Sequence, residues 1–356
     1  MLAYIQVQVI LALIATLYLM LEKQRLPLAL IAITLVSVFV GYRDLSVGTD
    51  TARYYEIFND ILSIYDAIEI GNFGFEAQRV EIGFVILASL TKDIGASFQF
   101  FLTLLNIIAF LLIYRTFSHL SGRYAGLLFY IYLGTFSFFS LHFNIVRQGV
   151  AVAFCFYALY QLSKGHSLKF ILLVLIAATF HSISVVLLPA VFVAYIQLNK
   201  WVIVLYAITF VFFTYIGALQ FFVNLLTPYS ASVWRVSNYM RKQHGELSLI
   251  SFSFVLDAML LMFCVYYRHY ISTVSKYFEP FLKAYMLGML MLVAFHDLRL
   301  MALRIFYIFS PVQVFLFYCA SFKIKENYMK VIFLLFIGLI WFFKNLLVTA
   351  QFITEY

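Results

Sequence analysis

Apolar runs of about 18 or more residues recur along this chain from its beginning to its end. A run of that length and that poverty of charge crosses the hydrocarbon core of a bilayer as a helix. Of 356 residues, 65% are hydrophobic and 11% charged, more apolar surface than a soluble domain can hide. The sequence therefore predicts an all-α polytopic membrane protein, 1–356 forming a single transmembrane domain, since a helix satisfies its own backbone in lipid. About twelve spans are expected, at 2–21, 26–41, 97–115, 123–140, 148–163, 168–181, 183–197, 201–226, 249–268, 279–295, 303–320 and 329–352. The first has no basic residue before it and no small-residue cleavage site after it. It reads as a retained span rather than a signal peptide. Cys155, Cys264 and Cys319 lie inside apolar runs and read as small core residues.

Orientation follows from Lys and Arg in the short loops. One alternating set of loops holds Lys23, Arg25, Arg115, Arg123, Lys164, Lys169, Lys200, Arg268, Lys276, Lys323, Lys325 and Lys330, against the acids Glu22 and Glu326. This set is expected on the cytoplasmic side, with both chain ends outside. The formal charge of +8 is then mostly a topology signal. Its cations are dispersed over six loops, unlike a nucleic-acid-binding surface.

The opposite loops have a different character. The outward segment 42–96 opens with "VGYRDLSVGTDTARYY", which gathers Arg43, Asp44, Asp50 and Arg53 at the membrane edge. Eight acids fall in 42–81. The other outward junctions, including a second loop at 227–248, carry Arg147, Arg235, Arg241, Arg299 and, one turn into its span, Arg304. Arginines on this side run against the positive-inside trend, so each needs an acid partner or an anionic ligand. Tyr54, Phe58, Ile61, Tyr65 and Ile68 recur at helical spacing and predict one amphipathic helix in the interface plane. Gly48-Thr49-Asp50 reads as its turn and N-cap. Ile82–Leu90 is too short to span and is expected as a juxtamembrane or re-entrant helix.

The blocks "GYRDLSVGTDTARYYEIF", "VEIGF", "FNIVRQGVAVAFCFYALY", "IAATFHSISVVLLP" and "LRIFYIFSP" resemble, in order and spacing, the EpsG-like, Wzy-type polysaccharide repeat-unit polymerases. The resemblance runs from about residue 40 to 315 and does not include the loop 227–248. It implies a fold like that of C-type glycosyltransferases. It also implies a glycosyltransferase of the bacterial cytoplasmic (inner) membrane, with its active site facing the periplasm or the exterior. Such enzymes transfer a glycan from undecaprenyl diphosphate to a sugar hydroxyl of a second lipid-linked repeat unit, building O-antigen or exopolysaccharide. The implied partners are the undecaprenyl-diphosphate-linked oligosaccharide and the lipid bilayer, with a chain-length regulator as a candidate protein partner. A ligase-like or other lipid-linked glycosyl transfer is the alternative reading, followed by a transporter of lipid-linked sugar. A transporter tends to show interrupted helices in both halves of an inverted repeat, and the sequence shows one such break, at His181.

The residues can be matched to that chemistry. A departing lipid diphosphate needs cations, and arginine offers a planar fork of donors. An acceptor hydroxyl needs a base within hydrogen-bond reach. Diphosphate or glycan binding is accordingly expected of Arg43, Arg147, Gln148, Arg235, Arg299, Arg304 and Tyr54, with Arg43, Arg147 and Arg304 converging. Catalysis is expected of Asp50, Glu81 and His181, with Asp50 or Glu81 as base. Structural readings compete. Asp50 serves equally as a helix cap, Glu81 as a first-turn acid, Arg43 as the partner of Asp44, Arg304 as the partner of Asp297, and His181 as a packing residue. No D-x-D, H-E-x-x-H or paired-cysteine pattern occurs, so no metal or other cofactor is expected.

Overall fold

The computed structural model describes residues 2–217 and 247–354. Among these residues the chain is helical with no strand. Its elements are α1 (Leu2–Met20), α2 (Arg25–Gly41), α3 (Thr51–Asp60), α4 (Ile64–Ile70), α5 (Ile82–Asp93), α6 (Phe98–Ser121), α7 (Ala125–Leu133), α8 (Phe136–Phe139), one π-helical turn (Ser140–Asn144), α9 (Val146–Ser163) and α10 (Ser167–Ala178). After a 3-10 stretch at Ser182–Leu187 come α11 (Ala190–Tyr195), α12 (Lys200–Tyr215), α13 (Phe252–Tyr266), α14 (Arg268–Val274), α15 (Phe278–Ala294), α16 (Arg299–Tyr307), α17 (Ser310–Ala320) and α18 (Asn327–Thr354). The loop 227–248 with Arg235 and Arg241 lies outside the described residues, apart from its last two positions.

Among the described residues, three segments are long and apolar enough to cross a membrane: Glu22–Gly41, Phe98–Leu133 and Asn327–Asn345. Two bent pairs bring the number to five, α13 with α14 at 77° and α16 with Ser310–Lys323 at 57°. The 36-residue segment Phe98–Leu133 is not straight. The Phe110 and Phe129 rings lie 5.8 Å apart, whereas a continuous helix would separate them by about 28 Å. The chain reverses at Ser121–Tyr124, where Gly122 takes φ +54°, a conformation glycine adopts without a Cβ clash. Interruptions are also not confined to His181. The bends at α13–α14 and α16–α17 are further breaks, so the lack of a counterpart break does not argue against a transporter.

The described chain forms two compact units. The first comprises residues 1–161, 168–185 and 321–356; the second comprises 162–167 and 186–320. In the first, α2 packs along α6, and α1 and α18 pack on α7. In the second, α15 is central, touching α11, α12, α16 and α17. Tyr132, Phe110, Phe117 and Phe156 are fully buried in the first unit, as are Tyr285, Phe281 and Phe309 in the second.

The segment 42–96 departs from expectation in one respect. The single amphipathic helix is two, α3 and α4, because the chain is extended at Ile61 (φ −62°, ψ 130°). Ser63 then caps α4 by accepting the Asp66 N–H. Tyr54, Phe58 and Ile61 are buried as the periodicity required, but Tyr65 and Ile68 are 75% and 77% exposed. Three groups from α5 hold the break: Lys92 Nζ donates to the Asn59 and Ile61 carbonyls, Ser89 Oγ donates to Leu62 O, and Asp93 accepts from Ile64 N. A cation at the carbonyl end of α3 also suits the helix dipole. The expected short helix at Ile82–Leu90 is present as α5, with Phe84, Val85, Ala88 and Ser89 buried.

Candidate functional site

The chain leaves α2 and turns back under itself at Arg43. Its Nη1 donates to Val40 O at 2.8 Å and His142 O at 3.3 Å. Its Nε donates to Thr51 Oγ1 at 3.0 Å, and Thr51 passes its own proton to Val47 O. Arg43 is 7% exposed, and every acceptor is neutral. The fourth contact is missing: Nη2 is buried with no hydrogen-bond partner. Burial lowers the guanidinium to about 10, with the nearby Tyr54 acting against it, so Arg43 remains a cation at neutral pH. Asp44 is not its partner. That carboxylate instead accepts from Ser46 N and Oγ at 2.8 and 2.7 Å, a local turn contact favoured by short polar side chains.

Gly48-Thr49-Asp50 is fixed from outside the segment. Gly48 has φ +88°, and a Cβ there would come within 2.2 Å of Phe143 O. Thr49 N donates to Asn144 Oδ1 at 2.9 Å. Asp50 occupies the N-cap position of α3 but makes no capping hydrogen bond. A cap reaches forward from extended backbone, and Asp50 has φ −103°, ψ −5°. Its side-chain contact is the Thr49 hydroxyl, at 3.2 Å on Oδ1, and the residue is half-buried. Asp50 thus holds the expected N-cap position, but the capping hydrogen bond is absent.

One turn along α3, Tyr54 is 3% exposed. Arg147, on the first turn of α9, lies with Cζ 5.7 Å from the Tyr54 ring centroid and 5.9 Å from that of Phe84. Stacking of this kind orients a guanidinium. Arg147 Nη1 pairs with Glu81 Oε2. Glu81 Oε1 accepts from Ser182 N at 3.0 Å and Ser182 Oγ at 3.3 Å. Glu81 does stand at the start of α5, without capping it; it ties that start to α9 and to the chain after α10. The neighbouring Gly83 N–H donates to Thr179 O at 2.7 Å and closes the same junction. Arg147 Nε is buried and has no hydrogen-bond partner.

Burial works against the Glu81 charge, but the Ser182 N–H, Arg147 and then His181 offset it, holding the carboxyl below its ordinary 4.5. A depressed folded value means that the pair contributes its full stability above the ordinary value. That contribution is lost as pH falls through the folded one. Thermal unfolding of the purified protein should show this: Glu81→Gln lowers the melting temperature at pH 7, and the gap to wild type narrows toward pH 3. A gap unchanged by pH would mean that the carboxylate charge contributes nothing.

His181 is 8% exposed, with Nδ1 accepting from Ile183 N at 3.4 Å. Gln148 is fully buried on α9 beside Arg147. Arg43, Asp50, Tyr54, Glu81, Arg147, Gln148 and His181 thus all belong to the first unit, although they come from four separate stretches of sequence. Tyr54 is the shared neighbour of the two arginines. Arg299, exposed, and Arg304 lie on α16 in the second unit. Asp297 is 2% exposed and precedes α16, which begins at Arg299. Sequence reasoning missed Thr51, Ser182, His142 and Asn144. The "HFN" before "IVRQG" was the available sign, a run of hydrogen-bonding side chains at an apolar junction. Among the described residues, no group of three or more His, Cys, Asp or Glu is placed to hold a metal ion.

No curated protein and no solved structure matches this chain. The profile of the EpsG family matches residues 27–356, nearly its whole length. The Arg-Asp segment after α2 and the Arg147–Glu81–Ser182 junction both fall inside that match, and the chain belongs to the EpsG family, a Wzy-like polysaccharide polymerase family.

Proposed function

We propose that this membrane protein polymerises lipid-linked oligosaccharide repeat units on the outer face of the bacterial cytoplasmic membrane. The observation that carries the reading is Arg43: a guanidinium 7% exposed, with neutral acceptors only and Nη2 without a partner. A buried cation lacking a carboxylate is costly unless an anionic ligand completes it. A lipid diphosphate supplies such an anion. Arg147 stands across Tyr54 with a second unsatisfied donor.

In the proposed reaction the acceptor hydroxyl oxygen attacks the anomeric carbon of the donor glycan. The bond from that carbon to the diphosphate oxygen breaks, and the electron pair leaves with undecaprenyl diphosphate. Arg43 and Arg147 balance the charge developing on the leaving group. Asp50 takes the proton of the attacking hydroxyl. It suits this role better than Glu81, whose two oxygens are already engaged by Arg147 and Ser182. Glu81 acts as the clamp that orients Arg147, and His181 lies beside the Ser182 that Glu81 accepts from. A strain lacking the gene should accumulate single lipid-linked repeat units and make no polymer, and restoring the gene should restore long chains. Normal polymer in the deletion strain would refute the reading.

The outward placement is a second expectation, with a direct test. The native cysteines are all buried, so single cysteines introduced at exposed Glu69 and Glu326 can be labelled cleanly. An impermeant maleimide added to intact cells should reach Glu69→Cys and leave Glu326→Cys unlabelled. The reverse pattern would place the site on the cytoplasmic side, where a lipid-linked polymer is not assembled by this route.

A further inference from the structure

We propose that His142 and Asn144 are positioning residues, and that the π-helical turn Ser140–Asn144 is the mount that sets Arg43 and Asp50 for the transfer reaction proposed above. π-turns are rare and occur mostly at functional sites. Here the Ile145 N–H reaches Ser140 O at 2.9 Å, and the widened turn presents its last three residues to the loop 43–51. His142 O accepts from Arg43 Nη1 at 3.3 Å. Phe143 O lies against Gly48 and 3.4 Å from Thr51 Oγ1. Asn144 Oδ1 holds the Thr49 N–H, next to Asp50.

The turn is itself held from below. His142 is 1% exposed, with its ring 4.5 Å from that of Phe110 and 5.5 Å from that of Phe138. Nδ1 lies 2.8 Å from Asn106 Oδ1, and Nε2 lies 2.9 Å from the Tyr132 hydroxyl. Asn106 uses its Nδ2 on Leu102 O, so its Oδ1 is the acceptor and Nδ1 of the histidine carries the proton. Nε2 then accepts from Tyr132. Burial, and next the Arg43 charge, lower His142 to about 3, consistent with a neutral ring. Both nitrogens are used, so the imidazole cannot serve as a base. Its contribution is rigidity: Tyr132 and Asn106 fix the ring, the ring fixes the turn, and the turn fixes the arginine and the aspartate. Site residues held by packed, fully hydrogen-bonded supports are those that keep reactive geometry.

Asn144 offers the cleanest test, because it is half-exposed and its loss leaves the buried trio intact. In purified protein, Asn144→Ala should lower kcat for chain extension about tenfold, with KM for the lipid-linked repeat unit within about twofold. The melting temperature should stay close to wild type. Amide exchange in a peptide covering 44–52 should quicken, with peptides of α6 and α7 unchanged. Tyr132→Phe, which removes one hydroxyl beneath the histidine, should also lower kcat and quicken exchange at 44–52, with some loss of melting temperature because His142 Nε2 is left buried without its donor. Normal kcat in both variants, a loss that only tracks the melting temperature, or a rise in KM alone would overturn the proposal. Exchange needs no substrate, so the two readings fail separately. A wild-type protein that makes no polymer defeats the functional reading, whereas unchanged exchange at 44–52 in Asn144→Ala defeats the mount.

Discussion

Asp50→Asn should lower polymerisation turnover by about 10²-fold or more, the usual loss when a general base is removed. Stability should barely change. The carboxylate caps nothing, so not even the ~1 kcal/mol of a lost N-cap is at stake. The Thr49 hydroxyl can still donate to the amide oxygen that replaces Oδ1. This combination separates the base from a structural acid. Glu81→Gln should instead reduce stability and activity together, since it releases Arg147 and leaves the Ser182 amide facing a weaker acceptor. Turnover by purified Asp50→Asn within threefold of wild type would remove Asp50 as the base. It would favour a mechanism driven by departure of the leaving group.

Arg147→Lys should be nearly as damaging, with turnover falling by about 10² at unchanged membrane levels. Lysine keeps the charge and can keep the ion pair with Glu81. It loses the planar fork, the spare Nε donor and the stacking over Tyr54 and Phe84. Losing one donor aimed at developing negative charge costs about 10²–10³ in related chemistry. Arg43→Lys should also inactivate the protein but should lower its stability too, because Thr51, Val40 O and His142 O each lose a donor. Full activity in Arg147→Lys would mean that this position supplies charge alone.

The all-helical class was legible in the sequence because lipid imposes one simple rule, long apolar helices; of the twelve spans expected, three to five described segments are long and apolar enough to cross a membrane. Periodicity found α3 and its buried face at Tyr54 and Phe58. It overran the break at Ile61, since the groups that stabilise the break are on α5, about thirty residues later. The Arg147–Glu81 pair joins positions 66 residues apart, and Ser182 is 101 from Glu81. Local spacing carries no record of such pairings, only that the loop arginines needed partners. Asp50 was recognised as either a cap or an acid, and the two readings differ only in backbone torsions that a Gly-Thr-Asp string does not specify. The mount at Ser140–Asn144 was hidden because its contacts to Arg43 and Thr51 run through the main-chain carbonyls of His142 and Phe143, which every residue type possesses.

The most direct measurement uses purified protein in bilayer discs with its lipid-linked repeat unit as sole substrate. Products are sized, and released polyprenyl diphosphate is counted. The proposed transfer predicts a ladder of glycans growing by whole repeat units, with one polyprenyl diphosphate released per new glycosidic bond, and neither product from Asp50→Asn. Polymer without that release, or no ladder from active wild-type preparations, would contradict it.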